Sequence, residues 1–255
     1  MRCTDRAVLV GFLCMLGSGL VAQKAPPGPV ADPFIAAIET VKHSVGSLDC
    51  LEVSGDQAKL LKRLGSAFLI SESGDFLTAA HVVAAMQKTD DPCPTPALTM
   101  TAGGWRPELP NENMFWFPLK LLDCRVDNAV DVAECRPSGD LPARIRRLHK
   151  AVPVRFEWNV QPDGAQLAFT GFPLEARDPM TFRAHIAAYR NMQPDMPTHE
   201  LLLDHASLPG FSGAPVYLAD GRVVAILLKD GQPEAPGIAV ARPVSAVREM
   251  LKKRP

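Results

Sequence analysis

The amino-acid sequence predicts an all-β protein, a sandwich or a barrel, and three observations lead to that prediction. Short runs of β-forming apolar residues recur from Leu60 onwards, separated by Gly, Pro, Asn and Asp. Residues 71–75 and 219–221 have the composition of hairpin turns, which join neighbouring antiparallel strands. The regular alternation of strands with helices that a parallel α/β sheet requires is missing.

Length and composition allow one large all-β domain or two ordinary ones. The chain has 255 residues, of which 47% are hydrophobic, so it can bury a substantial core. Its formal net charge is -1, which gives no electrostatic reason to expect nucleic acid or a membrane surface as a partner.

The first 22 residues are predicted to be an export signal. Arg2 and Arg6 precede an apolar run from residue 7 to residue 21, and Ala22 offers a small residue at a cleavage site. The run is short and contains three glycines, which favours a cleaved signal over the alternative of an uncleaved membrane anchor. Residues 23–33 follow as a stiff Pro-rich linker. We therefore expect a periplasmic or secreted protein, with membrane contact only if the segment stays uncleaved.

The folded domain is predicted to span residues 34–255. Apolar residues at helical spacing between residues 33 and 45 predict a short first helix. Residues 91–113 are rich in Pro and are interpreted as a long surface loop, and the amphipathic pattern of residues 244–253 predicts a C-terminal helix. The clearest β-rich runs are residues 67–70, 117–122, 152–158, 166–170, 201–203 and 223–228.

Export also decides how the cysteines are interpreted. Cleavage of the signal removes two of the six cysteines and leaves Cys50, Cys93, Cys124 and Cys135. In an oxidising compartment these allow two disulfides in three connectivities, with buried free thiols as the alternative. Cys124 and Cys135 flank a predicted hairpin that turns near Asp127, so we expect them to pair across it and Cys50 to pair with Cys93. Metal binding is not expected, because the chain has no paired C-x-x-C spacing.

Three motifs carry the candidate chemistry. The sequence Gly-Phe-Ser-Gly-Ala-Pro at residues 210–215 places Ser212 on a tight turn between two apolar strands. Far upstream, Thr-Ala-Ala-His ends a strand at His81, and Asp131 stands at the start of another strand. The chain order His, Asp, Ser is one of the three known for a catalytic triad, and no histidine follows Ser212, which excludes the order of the α/β-hydrolases.

In these motifs the chain resembles the trypsin-like (chymotrypsin-fold) serine peptidases, and among them the bacterial HtrA/Deg-type proteases. The similarity extends from about residue 63 to residue 250 in blocks that follow the family order: residues 65–68, 78–83, 131–133, 167–173, 210–215 and 237–243. The resemblance implies two antiparallel six-stranded β-barrels, at approximately residues 50–150 and 151–242, and a C-terminal helix. The chain ends after that helix, so we expect no PDZ-mediated assembly.

The resemblance also implies a role for each residue of the motifs. Ser212 is the expected nucleophile, His81 the base that takes its proton, and Asp131 the group that orients His81. The backbone N–H groups of Gly210 and Ser212 are expected to form an oxyanion hole. No metal or organic cofactor is implied, and the expected partner is a protein or peptide substrate.

Several neighbours compete for these roles. Asp127 is better explained as a turn residue and Asp123 lies on the preceding strand, so Asp131 is preferred. His199, Glu200 and His205 suggest a metal motif, but they lack the one-turn His pair of a zinc site. Phe211 replaces the small or polar residue usual before the nucleophile, and its ring is expected on the surface near the leaving-group side. Ala214 stands where the family often has Gly, and related enzymes accept small residues at that position.

The specificity pocket is expected between the segment before Ser212 and the strand after it. The residues predicted to line it are Ala206, Ser207, Leu208, Ile226, Leu227 and Leu228. No acidic residue stands at its base unless Asp204 reaches it, and an unpaired Lys or Arg substrate side chain would be buried at a cost of several kcal/mol. We therefore predict an exported serine endopeptidase that cleaves after small or medium aliphatic residues, with Leu228 limiting the depth. The alternative is an inactive or latent trypsin-like domain that binds peptides.

Overall fold

The computed structural model describes residues 32–55, 57–101, 114–137, 151–174, 176–191, 199–230 and 237–252. Residues 32–255 belong to one compact unit. The predicted signal and residues 23–31 of the predicted linker lie outside the described residues. Within the described part of the chain, no helix combines the length and hydropathy needed to cross a lipid bilayer.

The first half of the unit is a seven-stranded antiparallel sheet, which we call the N-terminal lobe. Its strands lie in the order β5-β4-β1-β2-β3-β7-β6. The elements are α1 (Phe34–Lys42), β1 (Val45–Ser54), β2 (Gln57–Leu69), β3 (Phe76–Ala79), α2 (Ala80–Met86), β4 (Thr95–Thr101), β5 (Met114–Pro118), a 3-10 turn (Leu121–Asp123), β6 (Arg125–Asp127) and β7 (Val132–Cys135).

The long hairpin of β1 and β2 forms the centre of this lobe. It is paired from Ser54 with Gln57 at its tip to Val45 with Phe68 at its base. Residues 57–61 of β2 are exposed, whereas residues 65–69 are buried. The tip of the hairpin therefore lies in solvent while its base enters the core, close to the second half of the molecule.

The second half is a closed six-stranded barrel, which we call the C-terminal lobe. The strands follow one another around the barrel as β10-β13-β12-β11-β8-β9. They are β8 (Gln166–Gly171), β9 (Met180–Asn191), β10 (His199–Leu203), β11 (Pro215–Tyr217), β12 (Val223–Asp230) and β13 (Ala239–Pro243), followed by a 3-10 turn (Val244–Val247) and α3 (Arg248–Lys252).

The apolar residues of the C-terminal lobe are shared between two cores. Leu167, Phe169 and Leu227 belong to the cluster inside the barrel. Ile226 and Leu228, on the opposite face of β12, belong to a cluster that also contains Phe68 and Phe76 of the N-terminal lobe. Because side chains alternate along a strand, β12 contributes to both cores at once and joins the two lobes.

The structure confirms the two-lobed, all-β fold and corrects some of its elements. The N-terminal lobe has seven strands in a sheet instead of six in a closed barrel. Residues 95–101, predicted as loop, form β4 because β1 offers them a free edge. Residues 152–158, predicted as a strand, instead form an isolated bridge from Phe156 to Val223 and a backbone hydrogen bond from the N–H of Val154 to the carbonyl of Leu69 at 3.0 Å. The predicted run 117–122 ends as a strand at Pro118, and the C-terminal helix is a 3-10 turn followed by a short α-helix.

Both disulfides have the predicted pairing. Cys50 is bonded to Cys93 with a Cα–Cα distance of 5.1 Å, and Cys124 to Cys135 with a Cα–Cα distance of 4.1 Å. The second bridge closes the β6–β7 hairpin, as the turn near Asp127 suggested. This hairpin carries Asp131 in its turn, so the disulfide lies beside the candidate site.

Candidate active site

His81 lies at the start of a helix that directly follows a buried strand. β3 is buried at all four of its positions and brings the chain to the lobe boundary. The helix α2 then buries Val82 and Val83 and leaves His81 on its outer face, with the side chain 45% exposed. The imidazole is thereby presented to solvent from a rigid support.

Asp131 holds His81 by two hydrogen bonds. The backbone N–H of His81 donates to Oδ1 at 3.0 Å, and the ring Nδ1 lies 2.8 Å from Oδ2. The carbonyl of Asp131 also accepts from the N–H of Ala80 at 3.2 Å. Asp131 has φ 56°, a left-handed conformation that Asp tolerates better than most residues because its short polar side chain bonds locally. The carboxylate therefore fixes both the backbone and the ring of His81.

Burial alone would raise the pKa of Asp131. The hydrogen bonds from His81 and the electrostatic interactions with His81 and Arg242 outweigh that effect and hold the pKa below its usual value. Asp131 is therefore ionised at neutral pH and can stabilise a positive charge on the imidazole.

Arg242 supports this carboxylate loop from the other lobe. It is a buried residue of β13, and its Nε donates to the carbonyl of Val130 at 2.9 Å. Burial lowers the pKa of Arg242, while the negative charges of Glu200 and Asp131 oppose that shift. A buried guanidinium thus connects the barrel to the residue before Asp131.

Ser212 lies on the segment between β10 and β11, which we call the Ser212 loop (residues 208–214). Its hydroxyl donates to the carbonyl of Leu228 at 2.7 Å. A hydrogen bond between Ser212 and His81 is not among those formed by the described residues. The loop nevertheless packs against the junction that carries His81: a Cβ on Gly213 would lie 2.4 Å from Oγ1 of Thr78 and 3.0 Å from the nitrogen of Ala79.

Two backbone N–H groups of the Ser212 loop point away from the protein's own acceptors. The carbonyl of Pro209 accepts from Leu174 at 2.6 Å, and that of Phe211 accepts from Ala214 at 2.8 Å. In a trans peptide the C=O and N–H point in opposite directions, so the N–H groups of Gly210 and Ser212 face the other way. Within the described residues neither N–H donates a hydrogen bond.

Gly210 is required where it stands. It has φ 98°, and a Cβ at this position would lie 2.3 Å from the carbonyl oxygen of Phe172. Both the conformation and the space therefore exclude any larger residue.

Phe211 corrects one expectation from the sequence. Its ring is fully buried inside the barrel rather than lying at the surface. It packs edge-on against Phe169 and Phe182, with ring centroids 5.1 Å and 5.4 Å away. The reversal of the chain at the two flanking glycines turns this side chain inward, so Phe211 anchors the Ser212 loop.

The residues predicted to line a specificity pocket divide into two groups. Ala206 is half-buried, Ser207 is buried and Leu208 is exposed, on the segment that leads to Ser212. The side chains of the β12 residues Ile226, Leu227 and Leu228 are all enclosed in the two cores. What β12 turns toward Ser212 is backbone, the carbonyl of Leu228.

The acidic residue considered for the pocket base is engaged elsewhere. Asp204 accepts a hydrogen bond from the N–H of His185 at 2.5 Å, and its Oδ2 lies 2.9 Å from the ring Nδ1. Burial acts to raise the pKa of Asp204, but these bonds to His185 hold it below its usual value. Both side chains of the pair are about half exposed.

The suspected metal motif is dispersed by the fold. Glu200 is buried and forms a salt bridge with Arg190 at 2.5 Å. The ring of His205 packs against Phe182, with centroids 4.9 Å apart. His199 is the first residue of β10. Across the described residues, no group of three or more His, Cys, Asp or Glu side chains could hold a metal ion.

Sequence reasoning missed two residues that hold the site together, Ser66 and Arg242. Each is a buried polar residue inside an otherwise apolar strand, which is the signal that could have identified them. Ser66 interrupts the apolar end of β2, and Arg242 interrupts β13.

Comparison with known proteins identifies the family. The chain belongs to the trypsin-like peptidase domain family, whose profile matches residues 65–226. No curated protein matches the sequence. The fold is similar to that of the HtrA-type protease AlgW with decapeptide, with a TM-score of 0.62 and 16% identity over 85% of this chain and 65% of AlgW. It is also similar to the active form of the Rv3671c protease from M. tuberculosis, with a TM-score of 0.59 and 19% identity over 97% of this chain and 94% of that protein.

Proposed function

We propose that the protein is a serine endopeptidase in which His81, Asp131 and Ser212 form the catalytic triad. The observation that carries this proposal is the two-point hold of Asp131 on His81. That hold fixes the ring with Nδ1 toward the carboxylate and leaves Nε2 free to act as a base. The membership of the chain in the trypsin-like peptidase family supports the same assignment.

The first chemical step requires the hydroxyl of Ser212 to change its hydrogen-bond partner. Its hydroxyl leaves the carbonyl of Leu228 by rotation about χ1 and turns toward Nε2 of His81. Side-chain rotations of this kind take picoseconds to nanoseconds, and catalytic hydrogen bonds often form only when substrate is bound. His81 then takes the hydroxyl proton as Oγ attacks the substrate carbonyl, and Asp131 stabilises the imidazolium.

The negative charge that develops on the substrate oxygen needs hydrogen-bond donors. The N–H groups of Gly210 and Ser212 supply them, since their peptide groups are oriented by the bonds to the Pro209 and Phe211 carbonyls. Collapse of the tetrahedral intermediate expels the amine, which takes the proton from His81 and leaves an acyl group on Ser212. Water activated by His81 then hydrolyses the acyl-enzyme.

The substrate is proposed to be a protein or peptide with a small or medium aliphatic residue before the cleaved bond. Asp204, the acidic residue considered for the pocket base, is hydrogen-bonded to His185. A Lys or Arg side chain would therefore lack a carboxylate partner there. The solved structure of AlgW with a decapeptide supports peptide binding by a protein of this fold.

The protein is also proposed to act outside the cytoplasm, in the periplasm or as a secreted enzyme. The Cys50–Cys93 and Cys124–Cys135 disulfides support this location, since such bonds persist mainly in oxidising compartments. Mass spectrometry of the protein purified from its own cells would show whether residues 1–22 have been removed.

A latent state is the second candidate, and one observation favours it. The hydroxyl of Ser212 is bound to Leu228 rather than to His81. In a latent or purely peptide-binding domain this arrangement would persist, and peptides would bind without being cut.

Labelling with a fluorophosphonate distinguishes the two candidates. The purified protein is treated with the reagent and the adduct is located by mass spectrometry, with His81→Ala as the control. An adduct on Ser212 that is lost in the control supports the peptidase. A folded protein that binds peptides but forms no adduct overturns it in favour of the latent domain.

A peptide library tests the proposed specificity independently. We expect cleavage after Ala, Val or Leu to be preferred over cleavage after Lys or Arg. Efficient cleavage after basic residues would contradict the aliphatic assignment while leaving the triad intact.

A further inference from the structure

Ser66 is a fully buried residue of β2 that contacts the Ser212 loop from the opposite lobe. Its backbone N–H donates to the carbonyl of Ser212 at 2.7 Å. Its hydroxyl donates to the carbonyl of Gly210, also at 2.7 Å. One residue of the N-terminal lobe therefore binds two carbonyls of the loop, on either side of Phe211.

The four consecutive carbonyls from Pro209 to Ser212 all accept hydrogen bonds inside the protein. Pro209 accepts from Leu174, and Phe211 accepts from Ala214. Ser66 supplies the donors for the two others, those of Gly210 and Ser212. The N–H groups of Phe211 and Gly213 donate to Leu208 and Leu227, so among the described hydrogen bonds those of Gly210 and Ser212 are the N–H groups of this stretch without an acceptor.

We propose that Ser66 is a positioning residue that sets the oxyanion hole from across the lobe boundary. Gly210 has φ 98° and carries no side chain, so its backbone could adopt other orientations at little steric cost. Without the Ser66 hydroxyl, the peptide group of the Gly210 carbonyl would keep only the bond from its other end, from the Phe211 N–H to the carbonyl of Leu208 at 3.1 Å. Its rotation would move the neighbouring peptide groups that carry the two donors. The hydroxyl of Ser66 removes this freedom.

The hydroxyl also secures the wall behind Gly210. It accepts a hydrogen bond from the N–H of Phe172 at 2.9 Å. A Cβ on Gly210 would lie 2.3 Å from the carbonyl oxygen of Phe172. The nearby N–H of Leu174 donates to the carbonyl of Pro209. Since Ser66 uses its hydroxyl both as donor and as acceptor, it fixes the loop and its support together.

Ser66 is itself held in place. Its carbonyl accepts from Oγ1 of Thr78 at 2.8 Å, on the strand that leads to His81. The absence of a side chain at Gly171 leaves space for the hydroxyl, because a Cβ there would lie 2.6 Å from it. The strand β3, which leads to His81, therefore also holds Ser66 and, through Ser66, the proposed oxyanion hole.

The inference rests on the proposed peptidase function and is tested by Ser66→Ala, with Ser44→Ala as the matched control. Ser44 is also buried, and its hydroxyl also donates to a distant backbone carbonyl, that of Val152. Competent sites are counted by fluorophosphonate titration, and kcat and KM for a peptide amide are measured per titrated site.

We expect Ser66→Ala to lower kcat about 10- to 100-fold with KM changed less than about threefold, because the lost positioning acts on the transition state. Binding of a peptidyl trifluoromethyl ketone, whose adduct oxygen occupies the oxyanion hole, should weaken in parallel. The pH midpoint of kcat/KM should stay that of the wild type, because His81 and Asp131 are untouched. Ser44→Ala should retain wild-type kcat per site.

Equal kcat per site in Ser66→Ala and Ser44→Ala would overturn the inference. So would a loss in Ser66→Ala that appears in KM alone. If Ser66→Ala does not fold, Ser66→Cys is used, because the thiol has a similar size and is a weaker donor; kcat per site at the wild-type level would then overturn the inference. A wild-type protein that neither labels nor hydrolyses peptides would instead contradict the proposed function itself.

Discussion

At the scale of a single residue, the left-handed backbone of Asp131 limits what can replace it. Asn is the closest substitute, since it has the same size and tolerates positive φ. Asp131→Asn removes the charge that stabilises the imidazolium and favours the wrong tautomer of His81. We expect kcat/KM to fall roughly 10⁴-fold, as in other triads, with little change in Tm.

The pair formed by His185 and Asp204 provides the control. It has the same two hydrogen bonds, from the backbone N–H and the ring of the histidine, on another part of the surface. Asp204→Asn should leave kcat/KM at the wild-type level. Equal losses in Asp204→Asn and Asp131→Asn would show that the effect is not specific to the proposed triad.

Phe211 gives a second prediction at this scale. Its buried ring contacts Phe169 and Phe182, so Phe211→Ala leaves a cavity in the barrel. We expect the free energy of unfolding to fall by about 3–5 kcal/mol, measured by urea denaturation. Phe211→Leu, which fills most of the space, should cost less. A wild-type midpoint for Phe211→Ala would contradict the anchoring role.

For single residues, the sequence predicts roles where a residue belongs to a motif. The roles of His81, Asp131 and Ser212 are predicted from their neighbours along the chain, and the structure places Asp131 and His81 in direct contact. The orientation of Phe211 was predicted wrongly, because it depends on the positive φ angles of Gly210 and Gly213. Local sequence shows that such angles are possible and does not show toward which core they turn the next side chain.

At the scale of elements, the buried carboxylate of Asp75 joins the β2–β3 turn to Arg136, the residue that follows β7. Its Oδ1 accepts from Nε of Arg136 at 2.6 Å, and its Oδ2 accepts from the hydroxyls of Ser71 and Ser73. Burial acts to raise the pKa of Asp75, but these donors outweigh it and hold the pKa below the usual value.

The sign of the resulting pH dependence follows from that direction. A carboxyl with a lowered pKa in the folded state stabilises the protein above its unfolded pKa of about 4, and this contribution is lost as the pH falls. Asp75→Asn should therefore lower the free energy of unfolding by about 1–3 kcal/mol near neutral pH, with the difference shrinking below about pH 4.

Asp220 is the matched control for this prediction. It also binds an arginine, Arg222 at 2.7 Å, but its side chain is 49% exposed. Asp220→Asn should change the unfolding free energy by less than about 1 kcal/mol at any pH. A pH-independent loss in Asp75→Asn would contradict the linkage to the Asp75 carboxylate.

The elements that were predicted wrongly depend on partners that are distant in the chain. Residues 95–101 contain Pro96 and lie in a segment whose composition predicts a loop, yet they form a strand that pairs with β1 along its free edge. Residues 152–158 have the apolar pattern of a strand, but most of that backbone finds no strand partner. The hairpin of β6 and β7, in contrast, is local, and its turn residues and cysteines revealed it.

At the scale of the whole molecule, the two disulfides of the N-terminal lobe close loops of different length. Cys50 and Cys93 are 43 residues apart, and Cys124 and Cys135 are 11 apart. In the loop-entropy account, a longer closed loop gives more stabilisation, about 3–4 kcal/mol for loops of these sizes. We expect the variant lacking Cys50 and Cys93 to lose more Tm than the variant lacking Cys124 and Cys135.

Activity should show the opposite order. The Cys124–Cys135 bridge closes the hairpin that presents Asp131. For each degree by which Tm falls, its loss should therefore reduce kcat/KM more than the loss of the other bridge does. Both double Cys→Ser variants are compared by calorimetry and by hydrolysis well below their Tm. A loss of kcat/KM that simply follows Tm in both variants would contradict this assignment.

Because the proposed triad is divided between the two lobes, its reactivity toward a phosphonate would report when the lobes dock during folding. His81 and Asp131 belong to one lobe and Ser212 to the other, and Ser66 connects them only after the lobes have met. A pulse of a reactive phosphonate during refolding would therefore mark molecules whose lobes have already docked. Circular dichroism follows strand formation in the molecule as a whole, so the delay between that signal and labelling would time the docking of the lobes.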